Sequence, residues 1–283
     1  MAHAHGEIAL DAAPERIVAL SSDAADAALQ LAGPERLAAV PDLNRDPHQS
    51  LQHETATQVE GVIDTAAEAD AESVLAYEPD LVVVTERHDA ESLALGQLEQ
   101  AGVPVLPIAN TWDSPELYVE NLRLIGEALG TEERAEELAG DYERRWEDVE
   151  ARVADLPEEE RPRTALLRII AGQVFYSGPG AISQPVLSAA GASHAAEEIG
   201  LERSQPASVE QLSASAPERI VLLDSTGAGE AQFAELLDSP GIGAVPAVAE
   251  EQILILTAAQ LSSGSGGIEA LEEIAAWLHP DLF

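Results

Sequence analysis

The chain runs to 283 residues, room for two domains of ordinary size, and 46% of it is apolar, enough for a sizeable core. Its 52 acidic residues against 14 basic ones give a formal charge of -38, and all the basic residues are Arg; such a surface repels DNA, RNA and anionic membranes. With no Cys, disulfides, thiolate nucleophiles and Cys-ligated metal sites are excluded; with no Lys, so are a Walker A phosphate loop and a lysine Schiff base.

The acids are spread along the whole chain rather than run together into a tail. In molar salt the Debye length falls to about 3 Å, so their mutual repulsion is screened while dense carboxylates hold hydration. This pattern points to a halophilic source. Met1 to Ala9 lacks the charged-then-apolar order of a signal peptide. Two readings stay open there: a cytoplasmic protein, or a chain that begins after a removed signal or lipid anchor. No stretch approaches the ~18–20 apolar residues of a membrane helix.

Short, continuous apolar runs recur along the chain: Ile17 to Leu20, Leu81 to Val84, Val103 to Leu106, Ala165 to Leu167, Ile220 to Leu223 and Ile253 to Leu256. Unbroken apolarity predicts strands buried on both faces, as in parallel sheets covered by helices. Helical stretches lie between, such as Ala90 to Ala101 and Ser114 to Leu129. In the second, Ser114 suits the N-cap, Pro115 the first helical position and Gly130 the position past the end. The class is α/β, in two lobes, each a mostly parallel sheet flanked by helices.

From Thr131 to Leu156 the apolar positions are spaced by threes and fours, predicting one helix of about 26 residues, roughly 39 Å long. Thr131 is placed to cap it, Glu132 and Glu133 suit its positive end, and Pro157 stops it. A helix this long at mid-chain reads as a strut, giving an N-terminal lobe over 1–125, a linking helix over 126–157 and a C-terminal lobe over 158–283. The alternative is one long crossover helix inside a single sheet.

A paired segment is the strongest internal signal. Ala71-Glu72-Ser73-Val74-Leu75 leads through Glu78-Pro79-Asp80 into Leu81-Val82-Val83, and Val209-Glu210-Gln211-Leu212-Ser213 leads through Ala216-Pro217-Glu218 into Arg219-Ile220-Val221. In both, a Glu opens a short helix, Pro follows seven residues later, an acid comes next, and an apolar strand begins. A first-turn Glu ordinarily just compensates the helix dipole. Its return at equal spacing in both halves suggests two carboxylates on matching edges, suited to a two-fold partner.

Ligands of open α/β sheets bind beyond the carboxyl ends of the strands. The residues following the strands there are Ser21, Ser22, Thr85, Arg87, Trp112, Arg168, Tyr176, Ser225 and Gln260. Trp112 is placed to stack on a flat ligand, and Arg87 and Arg168 to neutralise an anionic one. A rival reading gathers His48, His53 and His88 around a bare transition metal ion, although their spacing matches no compact zinc motif. The Gly-rich stretches at 177–180 and 264–267 do not follow strands as G-x-G-x-x-G, and no nucleophile elbow or acid–base pair stands out. No catalytic residue is expected, and a cytoplasmic α/β enzyme is the weaker alternative.

The chain resembles the substrate-binding proteins of ABC importers for cobalamin and ferric siderophores, in which a single helix forms the backbone between two lobes. The resemblance rests on Glu15 to Ser21, Glu72 through Pro79-Asp80-Leu81-Val82, Ala101 to Val105, Tyr176 to Gly180 and Ser208 to Leu212, in an order that holds over nearly the whole length. It implies a monomer on the extracellular face of the membrane, holding a metal chelate with no covalent cofactor. It also implies that Glu72 and Glu210 dock onto arginines of a permease dimer. The family's cobalamin binders carry aromatics in the loops just before the docking glutamates. Here the loops at 64–68 and 203–206 have none, so cobalamin and ferric siderophore both stay open, with a bare metal ion or an oxyanion as the alternative cargo.

Overall fold

The structure is a computed structural model that describes residues 12–64, 71–85, 89–110, 115–170, 172–178, 184–261 and 266–283, with positions 2–3, 6–8 and 10 before them. The chain forms two compact units that part between Glu143 and Arg144. That point lies inside the helix Glu132–Val153.

The N-terminal unit holds a five-stranded, wholly parallel sheet. Its spatial order is Gly61–Ile63, Leu37–Pro41, Ile17–Ala19, Leu81–Thr85, Val105–Ile108. The central strands are fully buried, as their unbroken apolar runs required. The last strand begins two residues later than its apolar run, and its Pro107 is tolerated because this is an edge with a partner on one side only. Leu37–Pro41 and Gly61–Ile63 were not expected; both are short and rich in Ala or Gly, so they carry little apolar signal.

The helices Ser22–Ala32 and Pro115–Leu129 both belong to this unit. Leu122, Ile125 and Leu129 are fully buried on the second, each contributing about 1.5–3 kcal/mol. That helix ends at Gly130, whose φ of 68° is the left-handed conformation that glycine adopts without a steric cost. A Cβ at Gly126 would collide with the Cβ of Ala135, so glycine there lets the next helix approach closely.

The long helix covers Glu132–Val153 rather than extending to Leu156. Thr131 does not cap it with its side chain: the hydroxyl has no partner among the described residues, while the carbonyl accepts from Ala135 N at 3.0 Å. At the far end the Arg161 guanidinium donates to the carbonyls of Val153 and Leu156 at 3.2 and 3.3 Å, securing the turn that ends the helix.

The C-terminal unit is built on a mixed sheet in the order Gln205–Pro206, Gln173–Tyr176, Arg163–Ile170, Arg219–Asp224, Ile253–Thr257. Its last three strands run parallel, and the first two are antiparallel additions. Along Arg163–Ile170, alternate residues Ala165 and Leu167 join Tyr176, Ile220, Leu222 and Phe233 in one core cluster. The intervening residues, Arg168 among them, face the other way. Among the described residues, no helix is long and apolar enough to cross a membrane.

Candidate functional site

In the N-terminal unit the strand order reverses between Ile17–Ala19 and Leu81–Thr85, the place where open α/β sheets bind their ligands. Just past these strands a buried hydroxyl relay closes the sheet. Ser21 Oγ donates to Thr85 Oγ1 at 3.1 Å, Thr85 Oγ1 donates to Asp23 Oδ2 at 2.8 Å, and Thr85 N donates to Ser21 Oγ at 3.0 Å. Thr85 is wholly buried, so its hydroxyl serves this relay. Ser22 is half-buried, and its carbonyl accepts from Asn44 Nδ2 at 2.9 Å. Arg87 and Trp112 lie outside the described residues.

In the C-terminal unit four of the expected contacts fall among the described residues. Tyr176 is 0% exposed; burial pushes its phenol up to about 12, and the hydroxyl donates to Ser215 Oγ at 3.0 Å. Its ring belongs to the core rather than to a ligand surface, because the antiparallel register with Leu167 turns it onto the packed face. Gln260 also has local work. Its Oε1 accepts from Thr257 N at 2.9 Å, its backbone N donates to Thr257 Oγ1 at 3.3 Å, and its Nε2 donates to Glu273 at 2.9 Å. This reciprocal pair starts the helix Ala258–Leu261 in the manner of a capping box.

Ser225 follows Asp224, a residue the sequence did not single out. Burial pushes the Asp224 carboxyl up, but the backbone N–H groups of Thr226, Gly229 and Gly227, at 2.8, 2.6 and 2.9 Å, outweigh it and hold it below the usual carboxylate range. Gln232 Nε2 donates to the same group. The carboxylate thus shapes the loop that presents Ser225.

Arg168 differs from these. It stands in register with Phe175 and Leu223 on the face away from the core cluster. It makes no ion pair or hydrogen bond with any described residue, and its Nε is buried. Burial lowers its pKa, as expected for a cation removed from water without a counter-ion. The undescribed residues of this unit carry no charged side chain, so no acid within the unit pairs with Arg168.

The glutamate-bearing segments fold alike. Glu72 is exposed on the helix Ala71–Leu75, and Glu210 is exposed on Val209–Ser215. Seven residues into each segment the chain turns through a left-handed residue ahead of the Pro: Glu78 at φ 49° and Ala216 at φ 41°. An arginine at the start of the neighbouring parallel strand, just before Ile17–Ala19 in one unit and opening Arg163–Ile170 in the other, clasps each turn. Arg16 donates to the carbonyls of Tyr77 and Glu78 at 2.6 and 3.2 Å, and Arg163 donates to that of Ala216 at 3.3 and 3.4 Å. The acid after each Pro answers: Asp80 accepts from the backbone N of Glu15 and Arg16, and Glu218 accepts from that of Arg163. Repeated Pro–acid spacing was the visible half of this clasp; its arginines lie more than fifty residues away in the chain.

Of the histidines, His48 Nδ1 lies 3.0 Å from Asp46, and His53 Nδ1 lies 3.1 Å from the Ser50 carbonyl; His88 is outside the described residues. Among the described residues, no three His, Asp or Glu side chains gather closely enough to hold a metal ion.

Comparison with known proteins places this architecture. An uncharacterized ABC transporter substrate-binding lipoprotein, YvrC of Bacillus subtilis, is 25% identical over 215 residues, covering 75% of this chain and 66% of the relative. A periplasmic heme-binding protein from Pseudomonas aeruginosa matches with a TM-score of 0.76 and 28% identity, over 94% of this chain and 93% of the other. The apo heme-binding protein RhuT from Roseiflexus sp. RS-1 matches at 0.78 and 24%, over 95% and 99%. The Haemophilus influenzae molybdate-binding MolA matches at 0.78 and 18%, over 95% and 87%. The last two show the fold alone. The family model for periplasmic binding proteins matches residues 17–259, most of the chain, and the chain therefore belongs to the periplasmic binding protein family.

Proposed function

We propose that this protein is the solute-binding component of an ABC importer, acting outside the cytoplasm as a monomer, and that its cargo is an anionic metal chelate of the ferric siderophore or haem kind. Arg168 carries the reading. In a chain with 52 acids to 14 arginines, a half-buried guanidinium without an acid in its unit is the feature most in need of a partner. Desolvating an unpaired charge costs several kcal/mol, a cost that a ligand carboxylate or catecholate would offset by bidentate contact. A neutral corrinoid would not. A relative described as heme-binding supports a metal-bearing cargo without selecting one. In this reading Ser22 and Ser225 contribute from the sheet edges, Arg87 and Trp112 stay candidates, and Tyr176, Thr85 and Gln260 act as support. The helix Glu132–Val153 is the proposed backbone between the lobes, and Glu72 and Glu210 are the proposed contacts with the permease dimer.

Thermal melting in molar salt with haem, ferric hydroxamate, ferric catecholate, cobalamin and molybdate tests the cargo. A bound ligand raises the midpoint by mass action. An anionic chelate should stabilise the wild type and lose at least tenfold in affinity against Arg168→Gln. Stabilisation by cobalamin alone, or an Arg168→Gln variant that binds as well as wild type, would overturn the assignment.

A further inference from the structure

Asp26 is 1% exposed on the helix Ser22–Ala32, a place where a charged carboxylate needs several donors. It has two, and both reach the same oxygen. Asn44 Nδ2 donates to Asp26 Oδ1 at 2.7 Å, and Ser50 Oγ donates to that atom at 2.5 Å. Asp26 Oδ2 has no partner among the described residues, and neither has Oδ1 of Asn44, itself 0% exposed. Two groups already joined by one hydrogen bond thus each carry a buried acceptor without a donor. One proton on Asp26 Oδ2 would serve both: the acid O–H donates to the amide oxygen while the amide N–H donates to the acid carbonyl, closing a cyclic acid–amide pair.

Among the described residues, no cation competes for the position. The strands against this helix, Ile17–Ala19, Leu37–Pro41 and Leu81–Thr85, carry no charged side chain. Arg36 donates to the carbonyls of Pro14 and Leu129, Arg45 to that of Val59, and Arg123 is taken by Glu136 and Glu143. Asp46 is engaged by the backbone N and ring of His48, and His53 by the Ser50 carbonyl. The remaining acids on packed elements, such as Asp42, Glu35, Glu116, Glu120 and Glu127, only add to the negative field. On its own helix Asp23 does the same.

We propose that Asp26 holds a proton on Oδ2 in the folded protein until the pH nears neutrality, and that this proton ties the helix Ser22–Ala32 to the segment carrying Asn44 and Ser50. Because Asn44 Nδ2 also donates to the Ser22 carbonyl, the tie reaches the sheet edge where the strand order reverses. The tie is independent of what the protein transports. Burial, opposed by the Ser50 and Asn44 bonds and helped by the Asp23 charge, pushes the Asp26 carboxyl up from 3.8 to about 7.

The sign follows. Below the ordinary carboxylate range both folded and unfolded chains hold the proton, and the stabilisation is complete. It is lost as pH rises toward neutrality, because the unfolded chain releases its proton first. A rise from 3.8 to about 7 corresponds to about a thousandfold in the local folding equilibrium.

Two measurements on the full chain test the proposal. In the first, the side-chain carboxyl carbon of Asp26 is followed by NMR from pH 3 to 9. A midpoint near neutrality is expected; a midpoint below 5 would overturn the assignment, as would a midpoint that moves when sodium replaces choline at constant ionic strength, which would assign the space to a cation. In the second, amide exchange in the helix is compared between wild type and Asp26→Asn, which keeps the shape and cannot ionise. The protection of Asp26→Asn relative to wild type should rise with pH and level off above about 8. A ratio independent of pH would overturn the proposal. Should Asp26→Asn not fold, the carboxyl titration decides alone.

Discussion

The two glutamate-bearing segments repeat one backbone course with unequal chemistry. Around Glu72 the clasp is tight: Arg16 reaches two carbonyls, and Asp80 takes two backbone N–H groups at 2.8 and 2.9 Å. Around Glu210 it is looser, with Arg163 reaching a single carbonyl at 3.3 and 3.4 Å and Glu218 taking one N–H at 3.0 Å. The second segment has its own reinforcement: Ser208 and Gln211 form a capping box at the start of the helix, and the Glu210 and Ser208 amide and hydroxyl bonds hold the Glu210 carboxyl below its usual range. Both arrangements keep the same left-handed turn, Pro and acid. The shared requirement is therefore where the glutamate helix sits on the sheet edge, and the particular bonds that secure it are free to differ.

That view can be broken most decisively at the glutamates. Reversing both charges, Glu72→Arg with Glu210→Arg, should abolish transport while ligand affinity is unchanged, read by ligand-dependent ATP hydrolysis of the reconstituted importer against calorimetric binding. Loss of affinity in the pair would sink the docking role. Next in size comes the clasp. Arg16→Ala should cost about 1–2 kcal/mol in denaturant unfolding and Arg163→Ala less than about 1 kcal/mol, in proportion to the number and length of their bonds; equal costs would erase the distinction drawn between the segments. Ser208→Ala should cost about 1 kcal/mol through the lost cap and accelerate amide exchange at Gln211. The smallest effect belongs to Glu78→Gly and Ala216→Gly. Relief of the left-handed strain and the added flexibility of the unfolded chain oppose each other, leaving both within about 1 kcal/mol of wild type. A large gain at one alone would show that the turns are not equivalent.

Legibility followed the number of apolar neighbours in sequence. The strands at Leu81–Thr85 and Arg219–Asp224 were plain because burial on both faces demands unbroken apolar runs. Leu37–Pro41 and Gly61–Ile63 were not, since Ala and Gly can line a sheet without announcing it. The site was less legible still. Tyr176 and Gln260 sit where strands end, as expected, but register and a local cap turn their polar groups inward. Asp224 and Asp26 look like two more acids in an acidic chain, and only their donors set them apart.

By itself, then, the sequence determined the α/β class, the paired glutamate segments and the long mid-chain helix, because each is written in spacing along one stretch of chain. Tertiary structure alone decided which arginine clasps which turn, which acid keeps a proton, and which guanidinium has no acid in its unit. Those outcomes depend on who meets whom across fifty residues or more and on how much water remains there, and a linear spacing carries neither.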